Sequence, residues 1–419
     1  MQRIGVIVGM WLACGLLIAV MVQAGRILPT PLVFAQIGGA GPEHLRYMLV
    51  DAQRGLTLIR QIAMPSGYDI TWQDGAVVLL ELGRRLEMAD WTFSVLDTVT
   101  GERQPVMHVT TANTVQMRLT EFDLHHGADG DYGTLYIPFT GDVWVSSPDA
   151  PNAVKLATVT RGLTQPLAWS PDRTTLAIKA EQVVVMHLIG ADGVDRGPLT
   201  VPRTTAITWS PDSRTILLNP VDPRLAEREG GALVDAATGA IIPLPGIRYG
   251  AWCGTLFAAA QIDGAITLRD TSGVVVETLA PAGTFTDPPV TSIEPLDNSC
   301  SRIVIRTGFL VGSSLLMRGA GAPIPLGPEL RVIHASDTAL TYQTRVNENL
   351  TIRRIRYDAP DTPETLAAYP RLYVPIAWLP GGERGVALDF RTLTLLDIAR
   401  NAAVALSDQI VLGLTVIAP

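Results

Sequence analysis

The chain has 419 residues, with 40 acidic against 32 basic side chains and a net charge of −8. Charged residues make up 17% and hydrophobic ones 47%, which excludes a disordered chain, since such chains have little apolar material to bury. The acidic balance, without any Lys/Arg run, excludes a duplex-binding surface, and 30 scattered prolines exclude a long coiled coil.

Met1–Arg3 is a short basic start, and Ile4–Val22 then runs 19 residues without a charge. That is close to the roughly 20 residues that span a bilayer as a helix, and longer than a signal-peptide core of about 7–15. Val22-Gln23-Ala24 before Gly25, and Val33-Phe34-Ala35, are small-residue cleavage patterns. Residues 1–26 therefore read as a signal-anchor or a signal peptide, with the core length favouring the anchor. Leu12-Ala13-Cys14-Gly15 is similar to a lipobox, but the apolar run continues past it, as for a small residue inside a membrane helix. Arg3 and the amino terminus favour the cytoplasmic side for the start, weakly opposed by Arg26. The body is then expected outside the cytoplasm, anchored to the membrane, or secreted if the signal is cleaved. Residues 27–44 are rich in Pro and Gly and read as a stalk.

From residue 45 to 419 the chain reads as a tandem repeat of short strands. Leu167–Ile178 (LAWSPDRTTLAI) and Ile207–Leu218 (ITWSPDSRTILL) match at an offset of 40 residues. Weaker copies of the second apolar triplet begin at Val77, Leu135, Leu256, Ile303, Leu340 and Val386. From 77 to 386 there are seven steps of about 44 residues, a period typical of four-stranded propeller blades. Trp72, Trp169, Trp209, Trp252 and Trp378 sit just before the turn into that second strand. A large ring there fills the gap of about 10 Å between packed sheets. In Ser-Pro-Asp, proline presets φ, and Asp172 or Asp212 accepts a hydrogen bond from its own downstream backbone.

A second pattern lies on the outer half of the units. It comprises Asp51…Gly55, Asp97…Gly101, Asp235…Gly239, Asp270…Gly273 and Asp397…Asn401, each after an apolar strand. The Asp ends a strand, and Gly or Asn supplies the positive φ of a hairpin turn. The fold class is all-β, a β-propeller behind an N-terminal anchor helix. Eight blades are expected, with seven as the alternative because the copy near 125–137 is weak. An extra hairpin at 45–62 and an extra strand at Ile410–Ile417 suit ring closure by strands from both chain ends.

The WSPD segments at Trp169–Asp172 and Trp209–Asp212 resemble the TolB-type, WD-like propeller repeats of bacterial envelope proteins. Where that family usually has Gly after the Asp, this chain has Arg173 and Ser213. The resemblance implies a ring surface offered to protein partners. The chain has no domain similar to the N-terminal domain of TolB, so the role of TolB itself is not implied.

Cys253 and Cys300 each lie three residues before the first apolar position of a second strand, the same site in consecutive units. An oxidising compartment permits a disulfide between them if their Cα atoms come within about 7 Å. A bridge and two separate buried thiols both remain open. His125 and His126, with Asp123, Asp129 and Asp131, form the densest polar cluster. Adjacent residues on a strand point to opposite faces, so this reads as a solvated loop rather than a metal site. His187 reads as a packed strand residue, and His334, near Asp337, as a turn residue. The sequence shows no nucleophile elbow, zinc helix or phosphate loop. Asn349-Leu350-Thr351 fits a glycosylation pattern and is uninformative in a bacterial protein.

The expected function is a membrane-anchored, extracytoplasmic protein-binding or scaffold module without a cofactor. Its partner surface is expected at the irregular stretches Asp222–Gly230 and Thr284–Thr291. Alternatives are a channel-lined enzyme, a lyase or hydrolase built from carboxylates of several blades, and a small-ligand sensor.

Overall fold

The computed structural model describes residues 32–37, 44–51, 56–63, 68–73, 76–85, 88–97, 102–112, 121–127, 130–137, 140–147, 149–159, 165–180, 185–220, 230–308, 312–318, 322–346, 349–370, 373–378, 383–389, 392–405 and 411–417. The Ile4–Val22 run lies outside these residues, and among the described ones no helix is long and apolar enough to cross a membrane.

The described strands form seven four-stranded sheets and one eight-stranded sheet. The eight-stranded sheet divides into two four-stranded halves, whose outer strands meet in a single parallel pairing of Asn152 with His108. The architecture is all-β and propeller-like: consecutive antiparallel four-stranded units, each starting where the previous one ends. Units 2 to 9 span 68–112, 121–158, 165–200, 204–244, 247–280, 290–325, 331–369 and 373–405. Unit 1 joins the two ends of the chain. It takes Leu32–Ile37, His44–Asp51 and Leu56–Ala63 from the start and Val411–Ile417 from the end.

The strand order corrects two expectations. Eight copies of the second strand do occur, one in each of units 2 to 9, but the terminal strands add a ninth four-stranded unit. The reason is Leu32–Ile37, which was expected within a stalk and instead pairs with both His44–Asp51 and Val411–Ile417. Its LVFAQI sequence, bounded by Pro31 and Gly38, is a strand pattern that the surrounding Pro and Gly obscure.

The core lies between the units. Thr215–Pro220, the second strand of unit 5, is buried along its whole length. Its alternate residues serve opposite faces. Ile216 and Leu218 pack with Ala177 and Leu188 of unit 4, while Leu217 packs with Phe257 and Ala259 of unit 6. Burial on both faces explains why this strand reads as a continuous apolar run.

Polar latches repeat across the same interfaces. The indole Nε1 of Trp209 donates to the backbone oxygen of Ala168 (2.9 Å), and that of Trp252 to Thr208 (3.0 Å), each in the preceding unit. Trp169 donates to Thr134 Oγ1 at 2.9 Å and Trp378 to Gln343 Oε1 at 2.8 Å. Trp72 occupies the same place in unit 2, paired with Val77, though its side chain is outside the description. These four tryptophans thus fasten units 4, 5, 6 and 9 to the unit before each as well as filling space.

The Ser-Pro-Asp corners add a second latch. Ser170 and Ser210 donate to Asp172 and Asp212, each at 2.6 Å, and accept the backbone N–H of Thr175 and Thr215. Hydrogen bonds from Ser170 and Thr174 outweigh burial and hold the Asp172 carboxyl below its ordinary range. Arg173 and Ser213 then adopt φ of 58° and 64°, left-handed values that favour glycine. Both side chains reach back to the preceding unit, which a glycine could not do. Arg173 Nη1 donates to Tyr132 Oη at 2.6 Å, and Ser213 Oγ accepts from the Asp172 N–H at 2.9 Å.

Cys300 occupies the corresponding corner of unit 7, with φ of 54°, and it too reaches back. It forms a disulfide with Cys253 of unit 6, the Cα atoms being 5.4 Å apart. The two cysteines are therefore not at the same site, as their spacing suggested. Cys253 ends its first strand and is joined to Leu256 by a tight turn, whereas Cys300 belongs to the longer corner between Pro295 and Arg302. A Cβ on Gly254 would come within 2.5 Å of the Asn298 backbone oxygen, so only glycine lets this corner approach.

The outer turns behave similarly. Asp235 Oδ1 accepts from the N–H groups of Ala237 and Thr238, and Asp270 Oδ1 from those of Ser272 and Val274. Gly239, Gly273 and Asn401 have φ of 71°, 82° and 47°. Asn401 Oδ1 accepts the Ala368 N–H of the preceding unit.

The bridge closes a loop of sequence separation 47, for which chain entropy gives about 4 kcal/mol. A Cys253→Ala/Cys300→Ala variant should lose about 2–5 kcal/mol in denaturant unfolding. Reductant should shift the wild-type midpoint and leave that of the variant in place.

Candidate functional site

The residues singled out from sequence scatter. The side chains of Asp123, His125, His126 and Asp131, and all of Asp129, lie outside the described residues. Among the described residues no three His, Cys, Asp or Glu side chains gather as a metal site. His187 is buried, and its Nδ1 lies 2.8 Å from Asp195 Oδ2. Burial works against ionisation of Asp195, but the hydrogen bonds from His187 and Gly197 hold its carboxyl below the ordinary range. The pair fixes a turn within unit 4. Asp222–Glu229 lies outside the description, and 281–289 is a succession of turns before unit 7.

Lys179 is fully buried on the second strand of unit 4. It occupies the place held by Asn219 in unit 5, where the side chain clamps the Gly250 backbone N–H and C=O of unit 6. Arg306 and Gln343 take this place in units 7 and 8, and Gln343 receives Trp378. At Asn219 and Gln343 the position is a polar link to the following unit, and Lys179 stands at the same place on its strand. Burial pushes its ammonium down to about 8.

The sheet register exposes a departure elsewhere. Near its start, the second strand of units 2, 4, 5, 6, 7 and 9 places an apolar residue opposite an apolar residue of the third strand. The pairs are Val78–Val95, Ala177–Leu188, Leu217–Leu233, Ala258–Leu268, Val304–Leu315 and Val386–Leu395. Leu188, Leu233, Leu268 and Leu315 are completely buried and pack against the following unit. In unit 8 the pair is Thr341–Arg354. Next to it on the same strand, Leu350 and Ile352 still pack against Ala387 and Leu396 of unit 9. At Arg354 the dry interface ends.

A groove of about 770 Å³ opens there. Its unit 8 wall crosses all four strands, from His334 through Thr341 and Arg354 to Glu364 and Thr365, and Glu383, Ile398 and Ala399 of unit 9 form the opposite wall. Arg354, Glu364 and Glu383 are exposed to solvent. Arg356 is engaged by Asp358 at 3.0 and 2.7 Å. Among the described residues the Arg354 guanidinium forms no hydrogen bond or ion pair, and neither do the side chains of Glu364 and Glu383. His334 was expected to be a turn residue; it lies on the first strand of unit 8 and lines this groove. Arg354 was not singled out from sequence. The available signal was Thr341, a hydroxyl in the middle of an otherwise apolar triplet.

No family model and no curated protein matches the chain. Among solved structures, the dihydro-heme d1 dehydrogenase NirN in complex with DHE is 14% identical, covering 93% of this chain and 75% of that one, with a TM-score of 0.46. A eukaryotic initiation factor is 12% identical, covering 82% and 99%, with a TM-score of 0.49. The Dos1 propeller is 10% identical, covering 70% and 78%, with a TM-score of 0.40. NirN and Dos1 are β-propeller proteins. The likeness is too distant to carry a function, and the propeller-like architecture stands on strand order.

Two outcomes follow from these buried and unburied cations. Lys179 is protonated more readily in the unfolded chain than in the fold, so stability should rise as pH increases from about 8 toward 10.5. Its contribution between pH 7 and 10 is on the order of 2 kcal/mol, and Lys179→Met should abolish it in urea unfolding followed across that range. An Arg354→Leu/Thr341→Val variant, which restores the apolar pair, should gain about 1 kcal/mol in the same measurement.

Proposed function

We propose that the chain is a membrane-anchored, extracytoplasmic propeller module that binds protein partners, its nine units acting as the blades of one ring. The observation that carries the binding role is the groove at Arg354. An interface that is apolar between the other described units gives way there to an open, charged surface. A substitution that forgoes apolar burial is not a stability device, so its use lies in recognition. The disulfide between Cys253 and Cys300 supports placement outside the cytoplasm, because such bonds persist in oxidising compartments. The uncharged Ile4–Val22 run after Arg3 supports an anchor with the body on the far side.

Photo-crosslinking residues placed one at a time on exposed positions of every unit, in the full chain in intact cells, test the binding role. One recurring protein, identified by mass spectrometry from a contiguous set of positions, is expected. Absence of any protein adduct around all nine units overturns the reading. Protease added outside intact spheroplasts should digest the body; protection from it would overturn the placement.

A further inference from the structure

We infer that the groove between units 8 and 9 takes an extended peptide segment of a protein partner, with an acidic side chain against Arg354 and basic side chains against Glu364 and Glu383. This rests on the protein-binding reading above and names its site and ligand chemistry.

Three observations lead there. First, among the described residues the side chains of Arg354, Glu364 and Glu383 are unspent. Arg302, Arg306, Arg318, Arg345 and Arg356 each meet a carboxylate of their own chain. Among the described residues Arg354 meets none, although Glu364 lies opposite it on the next strand. A guanidinium offers a fork of donors that matches a carboxylate. Two carboxylates at the flanks repel a purely acidic ligand and favour basic neighbours.

Second, the shape suits a chain rather than an enclosed small molecule. The groove crosses four strands and stays open to solvent. At about 4.8 Å between strands its length is roughly 14 Å, the reach of about four extended residues. Arg354 and Glu364 are one strand spacing apart, within reach of side chains on the same side of such a segment.

Third, the remaining lining can serve a peptide backbone. Thr341 and Thr365 bring hydroxyls to the groove, whereas those of Ser336 and Thr338 are engaged in their own turn. The two threonine hydroxyls brought to the groove donate to or accept from backbone groups without regard to sequence.

The test uses the full chain in detergent and three fluorescein-labelled peptides, read by anisotropy. Ser-Asp-Lys-Lys-Ser carries the required pattern, Ser-Lys-Asp-Asp-Ser reverses it, and Ser-Ala-Ala-Ala-Ser has no charge. The first should bind at least about ten-fold more tightly than the second, since one charge-assisted contact is worth about that factor. Arg354→Leu should weaken binding of the first peptide about ten-fold while leaving the thermal midpoint unchanged or higher. A charge swap at all three positions, Arg354→Glu with Glu364→Arg and Glu383→Arg, should turn the preference toward the reversed peptide, a change that misfolding cannot produce. Equal binding of all three peptides, indifference to Arg354→Leu, or binding of a neutral oligosaccharide such as chitotriose in place of any peptide would overturn the inference. If crosslinks to a partner persist at other units while the groove fails these measurements, the binding module stands and only its site is wrong.

Discussion

The inner strands of neighbouring units are buried on both faces, as Thr215–Pro220 is along its whole length. A four-stranded unit by itself would expose one face or both, and small antiparallel sheets are marginal in water without a partner. Stability therefore resides in the contacts between consecutive units rather than within them. Ile216 and Leu217 are neighbours in sequence, yet they belong to two different cores. Everything else in the architecture follows from the need to make those shared interfaces unique in register.

Apolar packing alone tolerates slippage, because many volumes fit roughly as well. The directional contacts remove that freedom. Indole donors on the first strand, corner side chains in left-handed conformation and asparagine clamps all point backward or forward by one unit. They use different chemistry at equivalent places: a guanidinium on a phenol at Arg173, a hydroxyl under an amide at Ser213, a covalent bond at Cys300. A residue that would be strained without reward at positive φ is retained where its side chain reaches the neighbour. Glycine at these corners is one solution among several.

Much of this was legible before any coordinates. The triplets, the tryptophans and the Asp…Gly turns mark strands and turns by local pattern, and local pattern is what a single sequence displays. What stayed hidden needed pairing. Leu32–Ile37 looked like linker because its partners are 7 residues away on one side and at the far end of the chain on the other. Cys253 and Cys300 looked equivalent because counting back from the second strand ignores the length of the intervening corner. Arg354 sits in a strand whose alternate residues, Leu350 and Ile352, are apolar, so only its position opposite Thr341 reveals that a leucine is missing.

That last point turns the repeat into an internal reference. In a single-copy fold an exposed arginine on a strand is unremarkable, since it has no equivalent to be compared with. Here the other units say what the position is for: burying a side chain against the next sheet. Arg354 gives up that burial, and Thr341 gives up the matching contact beneath it. Both changes fall at one interface, and the space they leave is lined by further ionisable groups from the two facing units. Independent drift at surface positions would not collect polar substitutions on neighbouring strands where together they open a groove. A shared use for the groove accounts for their coincidence, and the lattice of latches on either side allows one weakened interface to persist without unfolding the rest.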